Sequence, residues 1–111
     1  MTEENKQKTL STTYYRFNTG LGQPIHIHIT KEGDKINKVF TDISPYGTEI
    51  SGLTTLMGLL ISKYLEIGGD IQKLQKYLNS VKTDKPYGFG SRRIESIPHA
   101  VALAISKTLN N

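Results

Sequence analysis

The residues best able to bind or react fall in two stretches. The first is Ile25-His26-Ile27-His28-Ile29-Thr30, in which apolar and polar residues alternate strictly. In an extended strand, side chains two residues apart leave the same face about 7 Å from one another, so His26 and His28 present two imidazoles side by side. That is the spacing of some His-x-His metal ligands. A catalytic metal needs further ligands and a supporting shell, and the chain holds one other histidine, His99, and no cysteine. Two imidazoles beside basic residues fit a phosphate or a base edge better than a metal.

The second stretch is Lys85-Pro86-Tyr87-Gly88-Phe89-Gly90-Ser91-Arg92-Arg93. Its glycines free backbone N–H groups, its two arginines offer forked donors, and its two aromatics can stack on a base. It leads into a helix start, which favours anions. It matches no phosphate-loop fingerprint, because the Gly-x-Gly lacks both a third glycine and a Gly-Lys-Ser/Thr ending. The alternatives are a plain surface loop with Tyr87 and Phe89 tucked into the core, or a contact for a protein partner. The ligand-binding set read from the sequence is Lys85, Tyr87, Gly88, Gly90, Ser91, Arg92 and Arg93 with His26, His28 and His99. No metal or other cofactor is expected.

Catalysis finds little support. There is no Gly-x-Ser-x-Gly elbow and no cysteine nucleophile. Glu32 and Asp34 belong to a hairpin tip, while Asp42, Glu49 and Glu95 are isolated in sequence, so no pair of carboxylates is placed for acid–base work. The expected class is a non-catalytic binding protein.

A chain of 111 residues suits one domain, and the absence of cysteine excludes disulfides and thiolate metal sites. No apolar run is long enough to cross a bilayer and no leader pattern opens the chain, which points to a cytoplasmic protein. The net charge of +4 is uneven. Residues 63–93 hold seven Lys/Arg against three Asp/Glu, and the remainder holds seven of each, so the whole excess lies in one stretch. Such a surface suits phosphate or an acidic partner, and equally serves solubility.

These residues need a scaffold. Residues 1–11 carry no apolar period and read as a disordered tail, leaving 12–111 as the domain. Tyr14-Tyr15-Arg16-Phe17 reads as a short strand, closed by the turn Asn18-Thr19-Gly20-Leu21-Gly22. Ile25–Thr30 is the clearest strand, and Ile36–Ile43 returns beside it after a loop at 31–35. From Ile50 the period becomes helical: Leu53, Leu56, Met57, Leu60, Ile61, Tyr64, Leu65 and Ile67 cover more than half the circumference, which predicts a largely buried helix at the centre of the core. Gly68-Gly69 stops it. Asp70 caps a second, peripheral helix with Ile71, Leu74, Leu78 and Val81. Ser96 and Pro98 open a third, with Val101, Ala104, Ile105 and Leu109 inward. The expected fold is α+β, β-β-β-α-α-α, a three-stranded antiparallel sheet followed by three helices packed on one face.

This order and its punctuation resemble the TSCPD domain, the C-terminal module of adenosylcobalamin-dependent ribonucleotide reductases, which also occurs as small free-standing proteins. The similarity spans about Thr19 to Leu109: a Thr-Gly-x-Gly turn at Thr19–Gly22, a central helix closing at Ile67-Gly68-Gly69-Asp70-Ile71, and a Ser-x-Pro-x-Ala-x-Ala helix start. The family's Ser-Cys-Pro-Asp reads Ser96-Ile97-Pro98-His99 here. Members with cysteines in the first turn, near the central helix and in this motif could use them for metal or redox work. This chain is a cysteine-free variant, so the resemblance implies the fold and no cysteine-based role.

The functional expectation is a binding module for a phosphorylated, nucleotide-type ligand or an acidic partner. The Lys/Asn/Ile-rich composition suits a low-GC bacterium or its phage, and by analogy the sharpest expectation is a mobile-element inhibitor or ligand trap acting on a host nucleotide-signalling, defence or nuclease system. The alternative is an accessory protein docking on a ribonucleotide reductase. Nucleic-acid binding ranks third, since no stacking platform is evident in the sequence. The chain is expected to be a homo-oligomer: Gly52 and Gly58 on the central helix imply close approach of another backbone for at least one of them, either within the chain or at the seam between copies, and so apolar a helix favours pairing.

Overall fold

The computed structural model describes residues 9–110. Strands β1 (Leu10–Phe17), β2 (Ile25–Glu32) and β3 (Lys35–Ile43) precede helices α1 (Glu49–Glu66), α2 (Ile71–Asn79) and α3 (Ile97–Leu109). The α+β order is the one expected. The tail assigned to residues 1–11 falls mostly outside the described residues, but Leu10 and Ser11 pair with Glu32 and Lys31 and belong to β1.

The strands form one antiparallel sheet in the order β1-β2-β3. Strict alternation sorts its residues. Ile25, Ile27 and Ile29 are fully buried, opposite Ile43, Thr41 and Val39 of β3 and beside the partly buried Tyr15 and Phe17 of β1. Each fully buried isoleucine contributes about 1.5–3 kcal/mol. The other face carries three cross-strand rows: Thr12–Thr30–Lys38, Tyr14–His28–Phe40 and Arg16–His26–Asp42.

The buried face is shared by two helices. α3 packs on β2 and β1 with Ala100, Val101, Ala102, Ala104 and Ile105 essentially inaccessible, the alanines letting the helix axis come close. Leu109, expected inward, is 37% exposed. The helix begins at Ser96, whose Oγ accepts from His99 N and donates to Val81 O, two links that justify a serine there.

α1 corrects the sequence reading. It is not the centre of the core, a place α3 takes. α1 packs along β3 through its smallest residues, and its buried positions are Ser51, Thr54, Gly58 and Ile61. Gly58 has no room for a side chain, since a Cβ would lie 2.6 Å from Thr41 Oγ1 and 3.0 Å from Val39 O. Thr41 Oγ1 donates to Thr54 O, and Ser62 reaches the backbone of Val39. The close approach inferred from Gly58 is therefore within the chain. Leu53, Leu56 and Leu60 point the other way and are between 47% and 59% exposed, while Leu65 packs against the core. A helical period shows that a face is apolar and not which face is covered; here small polar residues win the sheet because only they let helix and strand backbones meet.

The joint between α1 and α2 is clamped by Tyr64, whose hydroxyl donates to Asp70 O and accepts from Asp70 N. Asp70 Oδ1 in turn accepts from Gln72 N and Lys73 N as the cap of α2.

Candidate functional site

The segment after α2 is better ordered than a loop. Tyr87 and Ile94 exchange both backbone hydrogen bonds, at 2.9 and 2.7 Å, and close a small hairpin whose far end is a short 3₁₀ turn, Gly90–Arg92. The base is tied at three points. Thr83 N and Oγ1 both donate to Glu95 O, Asn18 Nδ2 donates to the Tyr87 hydroxyl, and Gly20 lies against the carbonyl of Lys85 so closely that any side chain at position 20 would collide with it. Gly20 is thus required by packing, while Gly22, with φ +87°, supplies the left-handed residue of the first turn.

At the tip, Gly88 and Gly90 both take positive φ, which only glycine adopts readily, and Phe89 between them is extended. The effect is to hold Phe89 outward at 91% exposure, with Tyr87 at 46%. The alternative in which both aromatics are tucked into the core is overturned. The hairpin spends its hydrogen bonds on holding an apolar side chain in water, flanked by the exposed side chains of Lys85, Ser91, Arg92 and Arg93. Arg93 Nε sits 3.2 Å from Glu95 Oε2, so part of its charge is met within the hairpin.

Beneath the hairpin lies a pocket of about 310 Å³. Leu21, Ile50, Ile94, Ile97 and Pro98 make it apolar, and Thr19, Thr83, Asp84, Lys85 and Ser96 supply the polar groups. Ile97 meets the Thr-Gly-x-Gly turn and the first turn of α1 in this one hollow. An apolar hollow with a few convergent polar groups is the usual form of a small-molecule site, and its volume lies at the lower end of the range. A larger groove of about 670 Å³ runs between α1 and β3. It is rimmed by Lys35, Lys38 and Lys63 against Glu32 and Glu66, so its charge has no consistent sign, and the buried Asn37 Oδ1 in its wall has no hydrogen-bond partner.

The strand histidines are not gathered at the hairpin, whereas His99 lies at its base. His99 Nδ1 accepts from Glu95 N at 3.0 Å, which makes that ring a brace for the start of α3. His26 and His28 lie on the open face of the sheet, where the Tyr14 hydroxyl is 2.6 Å from His26 Nδ1 and the Tyr14 ring lies 5.8 Å from His26 and 5.0 Å from His28. Among the described residues no hydrogen bond joins either strand histidine to the hairpin. The sequence reading finds no stacking platform; the register supplies one, because Tyr14, His28 and Phe40 come into a single row with Tyr14 and Phe40 about half exposed. The signal was present as an aromatic at a fixed phase of each strand, but it needs the pairing to become visible.

Among the described residues no cluster of three or more histidine or acidic side chains could hold a metal ion, and no helix is long and apolar enough to cross a membrane. On the same face Tyr46 donates to Asp42 Oδ1, and the charge of Asp42, together with that hydrogen bond, holds the phenol above its ordinary pKa of 10.0.

The model of the TSCPD domain family matches residues 2–109. This extends the similarity ahead of Thr19, through β1. No curated protein sequence and no solved structure matches the chain.

Proposed function

The chain belongs to the TSCPD domain family, and from that premise we propose that it is a non-catalytic binding module for a phosphorylated ligand of nucleotide type, with the basic hairpin Lys85–Arg93 and the pocket at its base as the site. The observation that carries this reading is Phe89, an almost fully exposed aromatic held in place by two left-handed glycines on a hydrogen-bonded hairpin. Burying a side chain of that size is worth about 1.5–3 kcal/mol, a gain that the folded monomer forgoes and a bound partner collects. A base stacked on Phe89 or seated over Leu21 and Ile97 leaves its phosphate to Lys85 and Arg92, forked and point-charge donors of the kind that phosphate recognition uses. In a cell this activity is that of a ligand trap or inhibitor encoded by a phage or other mobile element, acting on host nucleotide signalling, defence or a nuclease.

The test is native mass spectrometry of the full chain purified from its own host. The expected result is a co-purifying mass of nucleotide size in fixed ratio to the protein, lost in Arg92→Ala/Arg93→Ala while the circular dichroism is unchanged. A chain that carries nothing, or a double mutant that retains the same mass, rejects the site. Capture of a ribonucleotide reductase by the wild-type chain in place of a small molecule favours the accessory-subunit reading.

A second reading rests on a different observation. The Tyr14–His28–Phe40 row, beside Arg16 and Lys38, offers stacking surfaces next to cations on an open sheet, an arrangement suited to single-stranded nucleic acid. Affinity at that face would fall steeply with salt and would be lost in Tyr14→Ala/Phe40→Ala, while Arg92→Ala would leave it in place.

A further inference from the structure

We propose that the outward face of α1 is the interface between two copies of this chain, packed as an antiparallel helix pair about Leu56. Leu53, Leu56 and Leu60 stand directly opposite the buried Ser51–Thr54–Gly58 face and are half exposed, at 54%, 47% and 59%. They form one row of leucines left in water on the helix face that the sheet does not cover, an exposed apolar surface of the kind that marks an interaction site.

The spacing identifies the occupant as a helix. Glu49, Leu53, Leu56, Leu60 and Lys63 follow one another along α1 at intervals of 4, 3, 4 and 3 residues, the spacing of a coiled-coil seam. A seam with an acid at its first position and a base at its last is complementary to itself only when reversed. Run antiparallel, Glu49 of one copy meets Lys63 of the other at both ends, and the helix dipoles also oppose favourably. Lys63 is free to make this exchange at small cost, because its present contact with Glu66, at 3.1 Å, joins two largely exposed side chains. The register that joins Glu49 to Lys63 sets Leu56 against Leu56 on the two-fold axis. It also places Leu60 over Gly52, where an added Cβ would meet no atom within 4 Å beyond its own stretch of helix. Gly52, unlike Gly58, has no packing role within the protomer, and a leucine of the other copy gives it one.

The absence of cysteine makes the test direct. Wild-type full chain should sediment as a dimer, and Leu56→Glu/Leu60→Glu as a monomer with unchanged circular dichroism. Glu49→Lys should raise the dimer Kd about tenfold, and adding Lys63→Glu should restore it. Leu56→Cys should form a disulfide-linked dimer on oxidation, whereas Thr55→Cys, also exposed but off the seam, should not. A wild-type chain that sediments as a monomer up to sub-millimolar concentration overturns the proposal. So does a dimer that survives the glutamate pair, or one that Thr55→Cys crosslinks as readily as Leu56→Cys.

Discussion

One hydroxyl closes the outer edge of the sheet: Ser62 Oγ accepts from Val39 N and donates to Val39 O, both at 2.9 Å. β3 is the last strand of the sheet, and its outward backbone groups would otherwise be left without partners beneath a helix. Ser62→Ala removes both bonds at once. The expected loss is about 1–3 kcal/mol of unfolding free energy, read as a lower urea midpoint with an unchanged slope.

Gly58 tests the same contact by volume. Gly58→Ala places a methyl group against Thr41 Oγ1 and the backbone of Val39 and Thr41, which cannot retreat without breaking the sheet register. Although alanine is the better helix former, the crowding should dominate and destabilise the chain by about 1–3 kcal/mol. Thr55→Ala on an exposed side of α1 is the control and should change stability little.

The start of α3 offers a third measurement. Ser96→Ala deletes a cap to His99 N and a bond to Val81 O, and should cost about 1–2 kcal/mol. His99→Ala should lower thermal stability as well, through the loss of its bond from Glu95 N.

The hairpin tip behaves oppositely. Phe89→Ala should leave the melting temperature unchanged, since the side chain is 91% exposed, and should weaken ligand binding. Gly88→Ala should impair both the hairpin and binding, because its φ of +88° is strained for any residue with a Cβ.

Tyr46 predicts a pH effect. Asp42 raises its pKa above 10.0, so the folded state holds the phenolic proton more tightly than the unfolded chain does. The contribution of this contact is complete below pH 10 and is lost as pH rises through the raised value. Ultraviolet titration should find Tyr46 ionising above an ordinary tyrosine, and Asp42→Asn should return it toward the ordinary value.

Much of this architecture follows from local pattern. The isoleucines of β2 alternate because one face of the sheet is buried, Gly33 and Asp34 turn the hairpin, and Asp70 and Ser96 cap α2 and α3 as their types require. The glycines of 85–93 announced a turning chain rich in cations. All of these are properties of residues a few positions apart, where dihedral preference and side-chain reach decide the outcome.

What only the tertiary structure decided lies between distant segments. Which face of α1 meets the sheet depended on Gly58 and Ser62 fitting the edge of β3, a match of shape that outweighs the burial of leucines and leaves them for a second surface. Phe89 is exposed because the Tyr87–Ile94 pairing and two left-handed glycines aim it away from the core. Tyr14, His28 and Phe40 form a row only once three strands are in register, and His99 braces the start of α3 because Glu95 lies within its reach. Hydrophobic period reports how apolar a face is, but the partner that covers it is chosen by packing across the whole chain, which no local window contains.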